Sequence, residues 1–166
     1  MEWPERKPNR LAGYDYASHG AYFVTICTDK KRPIFWDKED RHVGAAISRP
    51  QESLPLSQYG RLVERAIQAI PNHYPGVFVD AYVVMPNHVH AIIRIERTDG
   101  GGRMISAPTL STVVGQMKRW VSKQIGQPIW QRSFYDHIIR NEKEYLDDWN
   151  YIQENPAKWQ EDDLFC

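Results

Sequence analysis

The chain has 166 residues, 42% of them hydrophobic, with 21 Lys and Arg against 21 Asp and Glu. That length and composition suit one globular unit with a sizeable core, and exclude a disordered or collagen-like chain. With no formal net charge, the whole chain lacks the basic signature of a nucleic-acid binder, so any such signal must lie in how the charges are distributed.

The start Met1-Glu2-Trp3-Pro4 has neither a basic n-region nor an apolar h-region, and no run reaches membrane-spanning length. Cys27 and Cys166 have no disulfide or metal spacing. A cytoplasmic protein is expected. The expected organisation is a single unit over residues 1–166, with an arm at 1–20, a core at 21–158 and a tail at 159–166.

The arm is polar and turn-rich, and places Arg10 near Tyr14 and Tyr16. Ala21–Thr28, rich in β-branched and aromatic residues, reads as the first strand. Ile34-Phe35-Trp36 adds a short extended piece, and 45–55 reads as a surface loop. Ser57–Ile70 has helical spacing through Leu62, Val63, Ala66, Ile67 and Ile70, with Pro71 and Asn72 as its stop.

Val77–Val84 is a strand, and the turn Met85-Pro86-Asn87 joins it to a second strand beginning at His88. Thr98–Arg103 reads as a flexible, glycine-rich connection. A helix follows over about 109–125, with Leu110, Val113, Val114, Met117, Trp120 and Val121 inward. Lys118, Arg119 and Lys123 face solvent, and Gly126 provides the stop. Phe134–Ile139 is the last strand, and Glu142 to about Asn155 the last helix, ended by Pro156. Its inward stripe is Tyr145, Trp149 and Ile152.

This order predicts an α+β fold. It is a ferredoxin-like βαββαβ sandwich with two helices on one face of an antiparallel sheet, plus an extra C-terminal helix. The other sheet face is expected to stay available, with the histidines on it. His88 and His90, two residues apart on a strand, share a face. They are either a histidine pair at a half-exposed strand end or two ligands of a divalent metal that need a third. Tyr151 lies off the inward stripe of the last helix, with Asn155 one turn on. The Asn155 amide oxygen could complete such a site, and the Tyr151 hydroxyl would stand beside it. Tyr151 and Asn155 could equally be a surface pair.

The basic residues between Arg94 and Arg132, and the acidic stretch after Arg140, suit a one-sided anionic partner, as well as ordinary solvated faces. His137 is expected to be hydrogen-bonded in the sheet and is kept out of the metal site. Glu144, Asp147 and Asp148 read as a solvated acidic face, and Trp120 and Trp149 as structural.

His88-Val89-His90 after Val83-Val84-Met85-Pro86-Asn87 resembles the His-hydrophobic-His (HUH) motif of single-strand DNA nucleases. Trp130-Gln131-Arg132-Ser133-Phe134-Tyr135-Asp136-His137 and Tyr151-Ile152-Gln153-Glu154-Asn155-Pro156 resemble later blocks of the single-tyrosine transposases. The pattern is most similar to the REP-associated tyrosine transposases, which act on repetitive extragenic palindromes. Ala157-Lys158 departs from it, because relatives often carry valine and then glycine there.

The resemblance implies a transposase and single-strand endonuclease that cuts and rejoins hairpin-containing, REP-like DNA. Tyr151 would form a 5′-phosphotyrosine, and His88, His90 and Asn155 would hold Mg²⁺ or Mn²⁺. Lys118, Arg119, Lys123, Arg132 and Arg140 would contact phosphates, and Arg10, Tyr14 and Tyr16 the guide bases. The implied protein is nucleoid-associated, has no membrane or small-molecule partner, and is a monomer rather than a dimer. The alternatives are a DNA-binding protein of this fold that does not cut, and a metal hydrolase that uses the histidines without Tyr151.

Overall fold

The computed structural model describes residues 20–38, 54–96 and 108–165. Arg10, Tyr14, Tyr16, the connection Thr98–Arg103 and most of the 45–55 loop lie outside them. The strands are β1 (Gly20–Cys27), β2 (Val77–Val84), β3 (His88–Ile95) and β4 (Tyr135–Ile139). They form one antiparallel sheet in the order β2-β3-β1-β4. The helices are α1 (Gln58–Gln68), the four-residue α2 (Ile70–His73), α3 (Leu110–Ile125) and α4 (Glu142–Glu154). A 3₁₀ helix over Asn155–Glu161 follows. Order and pairing are those of the ferredoxin-like sandwich, with the extra C-terminal helix in place.

The helix ends follow local chemistry. Ser57 and Thr109 cap α1 and α3 by accepting from Gly60 N and Thr112 N. Asn141 caps α4 by accepting from Glu144 N at 2.9 Å. Gly126 closes α3 in the left-handed region at φ 83°. Neither proline is a stop. Pro71 and Pro156 each sit in the first turn of a further helical segment, where a missing N–H costs nothing. The helical path therefore continues beyond both expected ends.

The Met85-Pro86-Asn87 turn is pinned by the chain around it. Thr28 N donates to Asn87 O and Phe35 N to Pro86 O, each at 2.9 Å, and Trp36 Nε1 donates to Val84 O at 2.8 Å. The turn sets where β3 begins, and so where the histidines project.

Three expectations are corrected. First, the histidine face of the sheet is covered. Tyr145 of α4 donates to Asp80 at 3.1 Å, and Arg94 of β3 pairs with the same carboxylate at 3.0 Å. Asp80 stands at the irregularity in the β2–β3 register, where the extra residue aims its carboxylate at both partners. The opposite face, carrying Ala91 and its partner Tyr82, meets α1 through a Gln68–Tyr82 hydrogen bond.

Second, Trp120 is not on a core stripe but 43% exposed, because it lies one position beyond the arc of α3 that meets the sheet. Third, Lys118 does not point freely to solvent. Its half-buried ammonium donates to Gln131 O at 2.7 Å and Ser133 O at 3.2 Å, joining α3 to the segment that enters β4. Burial pushes its pKa down.

Two glycines make opposite predictions. A Cβ on Gly60 would lie 2.2 Å from Phe35 O, whereas one on Gly115, in mid-α3, would meet nothing within 4 Å. Gly60→Ala is expected to destabilise the protein by about 1–3 kcal/mol through overpacking against backbone. Gly115→Ala should stabilise it by about 0.5–1 kcal/mol through the lower entropy cost of helix. Urea unfolding of both variants checks the pair of signs.

Candidate metal and tyrosine site

Alternation on β3 sends His88 and His90 to the same side, and that side lies under the C-terminal segment. His88 is fully buried and His90 only 4% exposed, so neither stands at an open strand end. Their Nε2 atoms approach to 3.0 Å. The other ring nitrogens are occupied: His88 Nδ1 lies 2.7 Å from Asn87 Oδ1, and His90 Nδ1 2.9 Å from Thr25 Oγ1 on β1. Burial lowers both pKa values to about 3. Lys31 lowers that of His88 further, and His88 that of His90. Two neutral imidazoles therefore aim their Nε2 atoms at one point.

The C-terminal segment brings oxygen to that point. Trp159 packs on His88 with ring centroids 5.9 Å apart, and Asp162 Oδ2 reaches 3.7 Å from His88 Nε2. One ligand atom from each of His88, His90 and Asp162 falls within 4.8 Å of the others. Asp162 Oδ2 and Asn155 Oδ1 are both buried with no hydrogen-bond partner. Orphaned acceptors are costly unless something satisfies them. Neutral imidazole nitrogens with unpartnered oxygens are a donor set that fits a divalent cation.

Tyr151 stands beside this group. Its ring is 5.2 Å from that of His90 and 6.0 Å from that of Phe23, and the residue is 46% exposed. It lines a cleft with Asn155 and Asp162. Burial and the Asp162 carboxylate raise the phenol pKa, while the Asn155 side chain, hydrogen-bonded to the hydroxyl, opposes the shift.

The structure thus sets Tyr151 beside His90, and Asn155 in a cleft with Tyr151 and Asp162. Asp162, Asn87 and Thr25 are additions that sequence reasoning missed. Asp162 was one of many acidic residues in the tail, and Asn87 read as a turn former. His137 stays outside the metal group: its Nε2 donates to Asp148 Oδ2 at 2.9 Å and its ring stacks on Phe23. Asp147 pairs with Lys143, and Glu144 accepts from Arg140 N, so these acids have partners of their own.

Of the proposed phosphate contacts, Lys118 is turned onto backbone carbonyls. Arg119, Lys123, Arg132 and Arg140 are exposed, but Arg119 lies near Tyr74 on the α1–α3 side of the sheet. Among the described residues no helix is long and apolar enough to cross a membrane.

No protein-family model matches the chain. It is 33% identical over 178 aligned residues to an uncharacterized protein of Haemophilus influenzae, covering 96% of this chain and 93% of that one. A second H. influenzae protein, provisionally named a REP-associated tyrosine transposase, is 27% identical over 155 aligned residues, with 87% and 74% covered. A REP-associated tyrosine transposase of Escherichia coli is 29% identical over 111 residues, with 66% and 62% covered. Among solved structures, a REP-associated tyrosine transposase bound to a REP hairpin superposes with a TM-score of 0.61 at 23% identity. That match covers 90% of this chain and 74% of the other, and shows a shared fold.

The buried imidazoles carry a stability signature. Their folded pKa values of about 3 lie below the ordinary 6.5, so between those limits the unfolded chain binds protons that the native one does not. Stability is then complete above about pH 6.5 and falls as pH drops through that window, by about 1.4 kcal/mol per pH unit for each histidine. Chemical unfolding of chelator-treated protein from about pH 7.5 to 5 checks this, with His90→Asn expected to remove roughly half of the slope.

Proposed function

We propose that this chain, a member of the REP-associated tyrosine transposase family, is a metal-dependent nuclease and strand transferase. Its substrate would be single-stranded, hairpin-containing, REP-like DNA, which it cleaves and rejoins through a 5′-phosphotyrosine. The observation that carries the reading is Tyr151, its ring 5.2 Å from that of the buried His90, in a cleft it shares with Asn155 and Asp162.

Tyr151 Oη attacks the scissile phosphorus. The P–Oη bond forms as the P–O3′ bond breaks, the 3′ oxygen takes up a proton, and the 5′ phosphate stays on the tyrosine. Conserving the phosphodiester energy in that link allows rejoining to a 3′-OH without ATP. The phenol has a raised pKa, so its proton leaves as the bond forms rather than beforehand. Asn155 holds the hydroxyl and opposes that rise. His88, His90, Asp162 and Asn155 would hold Mg²⁺ or Mn²⁺, which when bound supplies Lewis-acid polarisation of the phosphate. Phe23 and His90 fix the tyrosine ring by edge contacts, so the hydroxyl is presented at one position.

The hairpin partner is supported by the fold shared with a protein solved on a REP hairpin. The surface beside the cleft fits an unpaired strand: Tyr135, 61% exposed, and His137 lie on β4 in register with Thr25 and Phe23. Such rings offer stacking to unpaired bases.

The test uses hairpin DNA labelled 3′ of the expected cut, incubated with Mn²⁺ or Mg²⁺ and resolved on a denaturing gel. A labelled protein band is expected. Tyr151→Phe should abolish it, and His88→Ala should reduce it by at least about 100-fold, as a lost metal ligand does. Tight hairpin binding without a band would instead mark a DNA-binding protein that does not cut. Cleaved DNA without adduct, unaffected by Tyr151→Phe, would mark a metal hydrolase.

A further inference from the structure

The two histidines are not equivalent, and the difference lies in what holds their Nδ1 atoms. Asn87 is fully buried, and its amide nitrogen faces two backbone carbonyls: Leu164 O at 2.7 Å and Lys31 O at 3.3 Å. Carbonyls only accept, so the Asn87 NH₂ must point at them and its Oδ1 must point at His88. An amide oxygen also only accepts, so His88 must carry its proton on Nδ1. Its Nε2 is then always a bare lone pair. Asn87 itself is held in place, because its own carbonyl accepts from Thr28 N at 2.9 Å and Thr28 Oγ1 at 3.0 Å.

His90 faces a hydroxyl, which can donate or accept. Its Nε2 lies 3.0 Å from the lone pair on His88 Nε2. In the metal-free protein that contact is a hydrogen bond only if His90 Nε2 carries the proton, and Thr25 must then donate to His90 Nδ1. A cation between the rings needs the reverse: Nε2 bare, and Nδ1–H donating to Thr25 Oγ1.

We infer that Asn87 and Thr25 are positioning residues for the metal, with His88 a permanently preset ligand and His90 a conditional one. The hydroxyl rotation of Thr25 accommodates the change. One proton leaves His90 Nε2 and one arrives at Nδ1 by exchange with water, the Thr25 hydroxyl proton turns away, and both rings stay neutral. An accepting-only residue at position 25 would demand Nδ1–H throughout and set the two bare Nε2 atoms against each other. A residue with no hydrogen-bonding group would leave His90 free to keep its proton on Nε2. The hydroxyl alone serves both states.

The inference deepens the metal site of the proposed function and rests on it, but its readouts need neither DNA nor cleavage. Mn²⁺ binding to the full chain is titrated by electron paramagnetic resonance. Thr25→Val, which keeps the β-branched shape, should weaken binding about 10–100-fold, as loss of an outer-shell partner does, and Thr25→Ser should restore it. Asn87→Ala also loses both carbonyl contacts and can fail to fold, so its role is read in the native protein. Long-range ¹H–¹⁵N spectra should show His88 as Nδ1–H with and without Zn²⁺, used as a diamagnetic probe. His90 should change from Nε2–H to Nδ1–H as Zn²⁺ is added.

Equal Mn²⁺ affinity in Thr25→Val, or His90 keeping one tautomer throughout, overturns the inference while leaving the cleavage reading intact. Normal tautomers and affinities with no covalent DNA adduct overturn the cleavage reading alone. Native protein that binds no Mn²⁺ overturns both.

Discussion

Burying two imidazoles side by side is the constraint on which the rest of this structure turns. Each ring has two nitrogens, and a buried polar atom without a partner costs as much as several good contacts gain. Four ring nitrogens therefore need four partners. The outer two are met by Asn87 and Thr25, and the inner two meet each other. That requirement ties β3 to β1 through Thr25, and to the C-terminal segment through the grip of Asn87 on Leu164 O. It also explains why the turn before His88 is held from outside by Thr28, Phe35 and Trp36.

The ferredoxin-like sandwich supplies the setting. A four-stranded sheet with α1 and α3 packed on one face has a second face that must be solvated or covered. Here α4 and the 3₁₀ helix cover it, and the covering elements bring the proposed reactive groups with them. Tyr151 and Asn155 come from the end of α4, and Asp162 from just beyond the 3₁₀ helix. The polar contact of Arg94 and Tyr145 with Asp80 docks the start of α4 on the sheet, and Trp159 on His88 docks the 3₁₀ helix that follows it. The helix is thereby oriented so that its tyrosine lies along the histidine strand rather than out in solvent.

Much of the fold was legible because periodicity and local punctuation agree. The strand at Val77–Val84 and the C-terminal cap Gly126 fall where alternation and a helix-stopping glycine place them. The turn Met85-Pro86-Asn87 is read as easily from Pro and Asn. Misreadings arose where a local signal had two meanings. A proline can end a helix or begin the next, and at Pro71 and Pro156 it begins the next. Trp120 has helical spacing with the core residues, but the arc of α3 that meets the sheet stops just short of it. Lys118 carries a charge that belongs in water, yet its stem is long enough for the ammonium to be spent on backbone carbonyls.

The sequence by itself determined which candidate residues fall together: the alternation that aligns His88 with His90, and the helical turn that sets Asn155 beside Tyr151. Both are local consequences of strand and helix geometry, fixed within a few residues. Only the tertiary structure decided that the histidine face is closed, that Asp162 joins the donor set, and that Asn87 and Thr25 dictate the protonation of the two rings. Those facts depend on contacts between segments far apart in the chain, and no periodicity records which distant carboxylate, amide or hydroxyl will meet a buried nitrogen.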